Sequence, residues 1–188
     1  MKEQPNLKCH LKEVVNHKMT PPTFFEINEF VWPFHEVVVT YGTPNYKEIN
    51  PTVFNIITFP FLFGIMFGDI GHGTLLLLFG IYICWKHDDI KYSTSALKPF
   101  LSIRYMLLLM GFYASYSGFI YNDFMSMPLN LFGTCYQNGK GPKGKVVAKS
   151  AKDCVYPFGF DPKWYSGHNE LTFFNSFKMK LAVIIGVL

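Results

Sequence analysis

The sequence predicts an all-α membrane protein: a short cytosolic segment, a helical hairpin, a third span, a long lumenal loop and the start of a fourth span. Three observations carry this expectation. Charged residues make up 16% of the 188, where a soluble domain averages about 25%, while aromatics reach 18%. Residues 53–67 hold no charge at all, and their apolar side chains would face every side of a helix. Two more apolar stretches follow, separated by short polar or glycine-rich breaks.

The same composition narrows function. A net charge of +4 without a cluster of basic residues gives no reason to expect a nucleic-acid partner. The 20 Phe and 11 Tyr exclude intrinsic disorder, because such surface must be hidden. Cys9, Cys84, Cys135 and Cys154 lack C-x-x-C spacing, so neither a zinc site nor a disulfide scaffold is indicated. Met1 to Met19 contain no secretory apolar run, which places the N-terminus on the cytosolic side.

Residues 1–50 are mixed, polar and broken by Pro5, Pro21, Pro22, Pro33 and Pro44, and read as the end of a soluble domain. Phe34, Val37, Val38 and Tyr41 fall at helical spacing, with Gly42 after them, and predict a short helix from Pro33 to Tyr41. The β-branched run Val37 to Thr40 supports a strand as the competing reading.

Residues 51–121 are expected to hold three transmembrane helices, at about 53–68, 71–86 and 102–121. A single helix from Val53 to Trp85 would reach about 50 Å, well past a hydrocarbon core of about 30 Å. Splitting it at Gly68-Asp69-Ile70-Gly71-His72-Gly73 gives a hairpin, with one long tilted or broken helix as the alternative. Pro60 inside the first helix is tolerable where neighbours satisfy the freed carbonyl. In the third helix Gly111, Ser115 and Gly118 recur at spacings of four and three, making a face on which another helix can pack closely. Glycines and prolines punctuate 122–177, read as an ordered but irregular lumenal loop. Residues 178–188 read as the start of a truncated fourth transmembrane helix. The basic linker with Lys86, Lys91, Lys98 and Arg104 favours a cytosolic placement, although the lysines of the long loop oppose the simple rule.

Asp69 and His72 are the ionisable residues of the first two apolar runs. The leading reading makes Asp69 a cap of the second helix; a proton path or a metal are the alternatives. Lys178 and Lys180 begin the fourth span on the same side, so a carboxylate–ammonium pair with Asp69 is geometrically open. Gly64, Gly68, Gly71 and Gly73 point to close packing or a tight turn and not to a phosphate loop, since no Lys-Ser or Lys-Thr follows. Asn122-Asp123 reads as a polar helix terminus. Cys135 and Cys154 could form a disulfide in an oxidising lumen. Cys9, His10 and His17 lack a nearby fourth ligand, so no metal is expected there. No nucleophile with a base and no dinucleotide fingerprint occurs; neither a catalytic residue nor a cofactor is expected.

Tyr46-Lys47-Glu48-Ile49-Asn50-Pro51, leading into Thr58-Phe59-Pro60-Phe61-Leu62-Phe63-Gly64-Ile65-Met66-Phe67 and the glycine-rich turn, closely resembles the entry to the membrane half of the a subunit of V-type proton ATPases. Three further stretches are similar in the same order. They are Pro21-Pro22-Thr23-Phe24 with Tyr41-Gly42, then Arg104 to Gly111 with Gly118 to Asp123, then Tyr156 to Pro162 with Asn175 to Lys180. The resemblance implies the static subunit beside a rotating proteolipid ring, with the ring, the other membrane-sector and stator subunits, the remainder of the a subunit and the lipid bilayer as partners. It implies the membrane of vacuoles, endosomes or other acidic organelles as the location. The arginine that faces the ring lies in a later span of that family, so Arg104 matches a different position, and this segment is expected to support the pump structurally. A short paralogue acting as membrane scaffold or assembly factor, or a separate small channel or carrier subunit, is the alternative.

Overall fold

Proline and asparagine chemistry sets the first elements of the computed structural model, which describes residues 23–92, 96–141, 144–149, 154–167 and 170–187. Helix α1 (Trp32–Tyr41) takes Pro33 in its first turn, where the missing N–H costs nothing, and ends as the Gly42 amide donates to the Val38 carbonyl. It begins one residue before the expected helix, and the strand reading does not occur. Helix α2 (Thr52–Phe67) starts after Pro51, with the Asn50 side-chain oxygen accepting from the Thr52 amide at 3.0 Å. Thr52 is fully buried and its hydroxyl meets His35 Nδ1 at 3.3 Å, which fastens α1 to the foot of α2.

Helix α3 (Ile70–Trp85) follows after two residues, and the short helix α4 (His87–Tyr92) after one more. A 3-10 turn at Lys98–Leu101 leads into α5 (Arg104–Tyr121). Asn122 ends α5 in the left-handed region at φ 55°, a conformation asparagine tolerates better than most residues. Strands β1 (Asp123–Phe124) and β2 (Met127–Pro128) pair around Met125 and Ser126, both at positive φ as a two-residue hairpin turn needs. Strands β3 (Tyr136–Gly141) and β4 (Gly144–Lys149) form a second antiparallel hairpin in the register Tyr136 to Lys149. A 3-10 turn at Pro162–Ser166 precedes α6 (Glu170–Val187).

Helix α5 is the hub of the packing, with α3 and α2 both laid against it. The α3–α5 contact is made by small residues: a methyl placed on Gly73 would lie 2.5 Å from the Ser115 amide nitrogen, and one on Gly111 2.5 Å from that of Leu77. On the α2 side, a methyl on Gly64 would meet the Tyr113 carbonyl carbon at 2.7 Å. Phe34 of α1 and Ile65, Ile83 and Ala114 of the three packed helices are buried, whereas Phe54, Ile57, Leu75, Leu78, Phe112 and Phe119 are exposed.

The expected multi-pass, all-α membrane architecture is corrected by these elements. Among the described residues no helix is both long and apolar enough to cross a membrane. Helices α2 and α3 have 16 residues each, about 24 Å at 1.5 Å per residue, against about 30 Å of hydrocarbon. Helices α5 and α6 reach 18 residues but dilute their apolar content, α5 with Arg104, tyrosines and serines, α6 with Glu170, Asn175, Lys178 and Lys180. The last helix is no short beginning at 178, since it starts at Glu170. Nor is the chain all-α, because the region after α5 contains two β-hairpins.

Candidate functional site

Polar side chains converge where the α2–α3 turn meets the end of α5. Asp69 is 8% exposed and holds this junction. Its Oδ1 accepts from the Gly71 amide at 2.9 Å, capping α3, and from the Met125 amide at 2.8 Å, which pins the tip of the β1–β2 hairpin to the helix start. Its Oδ2 pairs with His72 Nδ1, one helical turn on. Burial acts to raise the Asp69 pKa, but the Met125, His72 and Gly71 hydrogen bonds outweigh it and hold the carboxyl below its ordinary value.

Asp123 has the opposite character. Its Oδ1 is buried without a hydrogen-bond partner among the described residues. Burial first, and then the charge of Asp69, push its pKa up, against the Ser126 amide, Lys178 and His72. Lys178 sits over the Tyr121 ring at 5.0 Å, and burial lowers its pKa against the pull of Asp123. Among the described residues no ion pair joins Asp69 to Lys178 or Lys180; Lys180 is exposed. Tyr121 is 2% exposed and donates its hydroxyl to the Ile65 carbonyl at 3.0 Å, linking α5 to the last turn of α2. Burial pushes its pKa up to about 12, so it remains a hydrogen-bond donor at any physiological pH.

The segment after the second hairpin docks on the same end of α5. Asn122 Nδ2 donates to the Phe160 carbonyl at 2.6 Å and the Tyr156 hydroxyl at 3.1 Å, and the Phe160 amide donates to the Ile120 carbonyl at 2.8 Å. Tyr165 donates to the Tyr121 carbonyl at 3.3 Å. A disulfide joins Cys135 to Cys154, and buried Asp161 accepts from the Cys135 amide at 2.7 Å beside it. At the opposite end of α5, Arg104 is 4% exposed, with Nη2 3.0 Å from Glu29 Oε1 and 3.2 Å from the Tyr105 hydroxyl.

Of the glycines singled out in the sequence, Gly68 lies against Tyr121 and Ser117, Gly71 against Met125, and Gly118 against the backbone of Asp69 and Ile70. Gly118 is therefore the floor on which the Asp69 turn rests. Sequence reasoning missed Tyr121 and Asp161 as organising groups. Asn122-Asp123 carried a readable signal, a left-handed-tolerant residue followed by a turn-favouring aspartate, but nothing in it named Phe160 as the partner. Among the described residues no group of three or more His, Cys, Asp or Glu could hold a metal. Cys9, His10 and His17 lie outside the described residues.

Among the described residues the fold is a bundle of helices clasped at one end by buried, hydrogen-bonded polar side chains. The chain belongs to the V-type ATPase 116 kDa subunit family, whose sequence model matches residues 2–188. It is similar to the vacuolar proton translocating ATPase 100 kDa subunit of Dictyostelium discoideum, 44% identical over 176 residues, covering 93% of this chain and 21% of that protein. It is 39% identical over 198 residues to the V-type proton ATPase 116 kDa subunit a 2 of Bos taurus, covering 90% and 23%. The subunit a 1 of Mus musculus is 39% identical over 188 residues, covering 90% and 22%. The chain thus spans about a fifth of the length of these relatives.

Proposed function

We propose that this chain serves as part of the static a subunit of a V-type rotary proton pump, supporting ATP-driven proton translocation and the acidification of vacuoles or endosomes. Its own contribution is structural: it forms a pre-packed block on which the remainder of the subunit, the proteolipid ring and the other membrane-sector and stator subunits assemble. The observation that carries this reading is the Asp69 carboxylate. It is committed to the Gly71 and Met125 amides and to His72, and its pKa is lowered by those bonds, as suits a fixed tie between two chain segments better than a group that gains and loses a proton each cycle. The exposed Phe54, Ile57, Leu75, Leu78, Phe112 and Phe119 add support, because so much apolar surface calls for cover by neighbours in an assembly.

Asp69→Asn tests the proposal, since it keeps the shape and removes the charge. A structural tie predicts a reduced amount of assembled complex with near-normal pumping per complex. Normal assembly with lost pumping would show that Asp69 is a relay and overturn the structural assignment.

A further inference from the structure

A cavity of about 210 Å³ lies beside the disulfide, walled by Tyr136, Tyr156, Phe160, Trp164 and Phe173, with Asp161 also lining it. The rings are fixed by one another: Trp164 stacks on Phe173 at 4.0 Å and 3°, and Tyr136 leans on Trp164 at 5.3 Å and 54°. Phe160 meets Phe173 edge-on at 5.4 Å. Asp161 is 2% exposed, and its carboxylate accepts from the Thr134 hydroxyl at 2.7 Å, the Cys135 amide at 2.7 Å and the Lys163 amide at 2.9 Å. All three donors are neutral, and no ion pair involves Asp161 among the described residues. Its negative charge is held in place without being cancelled.

We propose that this cavity binds an organic cation of the quaternary ammonium type, a choline headgroup or its equivalent. Aromatic faces carry negative electrostatic potential and attract a cation that has shed its water, and a buried carboxylate adds net charge of the same sign. Anions are repelled by both. A small hard metal ion needs a shell of oxygens, and carbon makes up most of these walls. A neutral apolar guest would fill the space but draw no attraction from the Asp161 charge. The quaternary form is favoured over a primary ammonium because Asp161, with Thr134, Cys135 and Lys163 already bonded, has about one acceptor site left for the three N–H groups of a primary ammonium, and a trimethylammonium group has none to satisfy. At 210 Å³ the cavity suits a headgroup more than a drug-sized molecule.

Equilibrium dialysis of the full chain against isotopically labelled choline, with 3,3-dimethylbutan-1-ol as its uncharged isostere, tests this directly. The expected result is saturable choline binding that tetramethylammonium competes away and the isostere displaces at least about tenfold less well. Equal displacement by the isostere would reduce the site to an apolar hole and overturn the proposal, as would the absence of saturable choline binding. Phosphatidylcholine vesicles that displace choline, where phosphatidylglycerol vesicles do not, identify a lipid headgroup as the source; failure of both vesicles identifies the free cation. Trp164→Leu keeps an apolar wall and removes a π face, and is expected to weaken choline binding by about tenfold while Cys135 and Cys154 stay oxidised. Undiminished binding in that variant contradicts the aromatic cage, and should the variant misfold, the isostere comparison on the unaltered chain still decides.

Discussion

Replacing Gly111 by alanine is predicted to force α3 and α5 apart. The added methyl would lie 2.5 Å from the Leu77 nitrogen, 2.7 Å from its Cα and 3.0 Å from the Leu76 carbonyl carbon. All three obstacles are backbone atoms, so no side chain can swing aside. Restoring ordinary contact at roughly 3.5 Å requires a separation of about 1 Å along the close-packed line of Gly73, Ser115 and Gly118. Overpacking of this kind costs about 1–3 kcal/mol, and the gain in helix propensity from Gly to Ala returns up to about 1 kcal/mol. The net expectation is a loss of up to about 2 kcal/mol against the unaltered chain, and of about 1–3 kcal/mol against a glycine-to-alanine change that meets no obstacle. Gly186 supplies the control, because among the described residues a methyl there meets nothing within 4 Å, so Gly186→Ala shows the propensity gain alone. Guanidinium unfolding followed by the near-ultraviolet aromatic signal measures both variants. If Gly111→Ala proves as stable as Gly186→Ala, the helices do not touch as described and the argument fails.

Other predictions follow from the polar junction and the loop that covers it. Asp69 has a lowered folded-state pKa, so its stabilisation is complete above the ordinary carboxylate value near 3.8 and is lost as pH falls through the lowered one; acid unfolding should flatten over that range in Asp69→Asn, and an unchanged acid limb would count against the tie. Asp123 has a raised pKa, so its ionisation opposes folding as pH climbs through and above 3.8, and Asp123→Asn should gain stability at pH 7 relative to pH 3; an equal shift at both pH values refutes the burial argument. Tyr121→Phe leaves the Ile65 carbonyl without its donor and should cost about 1–2 kcal/mol in the same unfolding assay, a neutral result showing that the bond contributes nothing. Replacing Cys135 and Cys154 together by serine opens a cross-link spanning 19 residues, and about 3 kcal/mol of local stability should go with it; hydrogen exchange of the β3 and β4 amides reads the loss, and unchanged protection would contradict it.

Helix positions were legible in the sequence because their punctuation is local. Pro33 and Gly42 bracket α1, and Asp69 within a glycine cluster both ends one helix and caps the next, while α2 was placed by its charge-free apolar run and its Asn50 and Pro51 start came from the structure. The small-residue face of α5 was equally readable, since Gly111, Ser115 and Gly118 at helical spacing can share only one side. Family resemblance lay in contiguous motifs of the same kind. The architecture built from these helices was not legible: the sequence bounds of about 53–68 and 71–86 match the lengths of α2 and α3, yet among the described residues no helix is both long and apolar enough to cross a membrane, and the packing on α5 rests on contacts between distant segments.

What the sequence by itself determined is a set of features fixed within a turn or two of chain, the caps, the breaks, the close-packing faces and the family motifs, though not the two equally local β-hairpins after α5. Tertiary structure alone decided the partners. It set Asp69 against the Met125 amide 56 residues away, Tyr121 against the Ile65 carbonyl, Asn122 against Phe160, and five rings with Asp161 along one cavity. The physical reason is that a hydrogen bond or a ring contact across such separations depends on how whole helices pack, and packing is fixed by the sum of many weak contacts that no single residue's identity encodes.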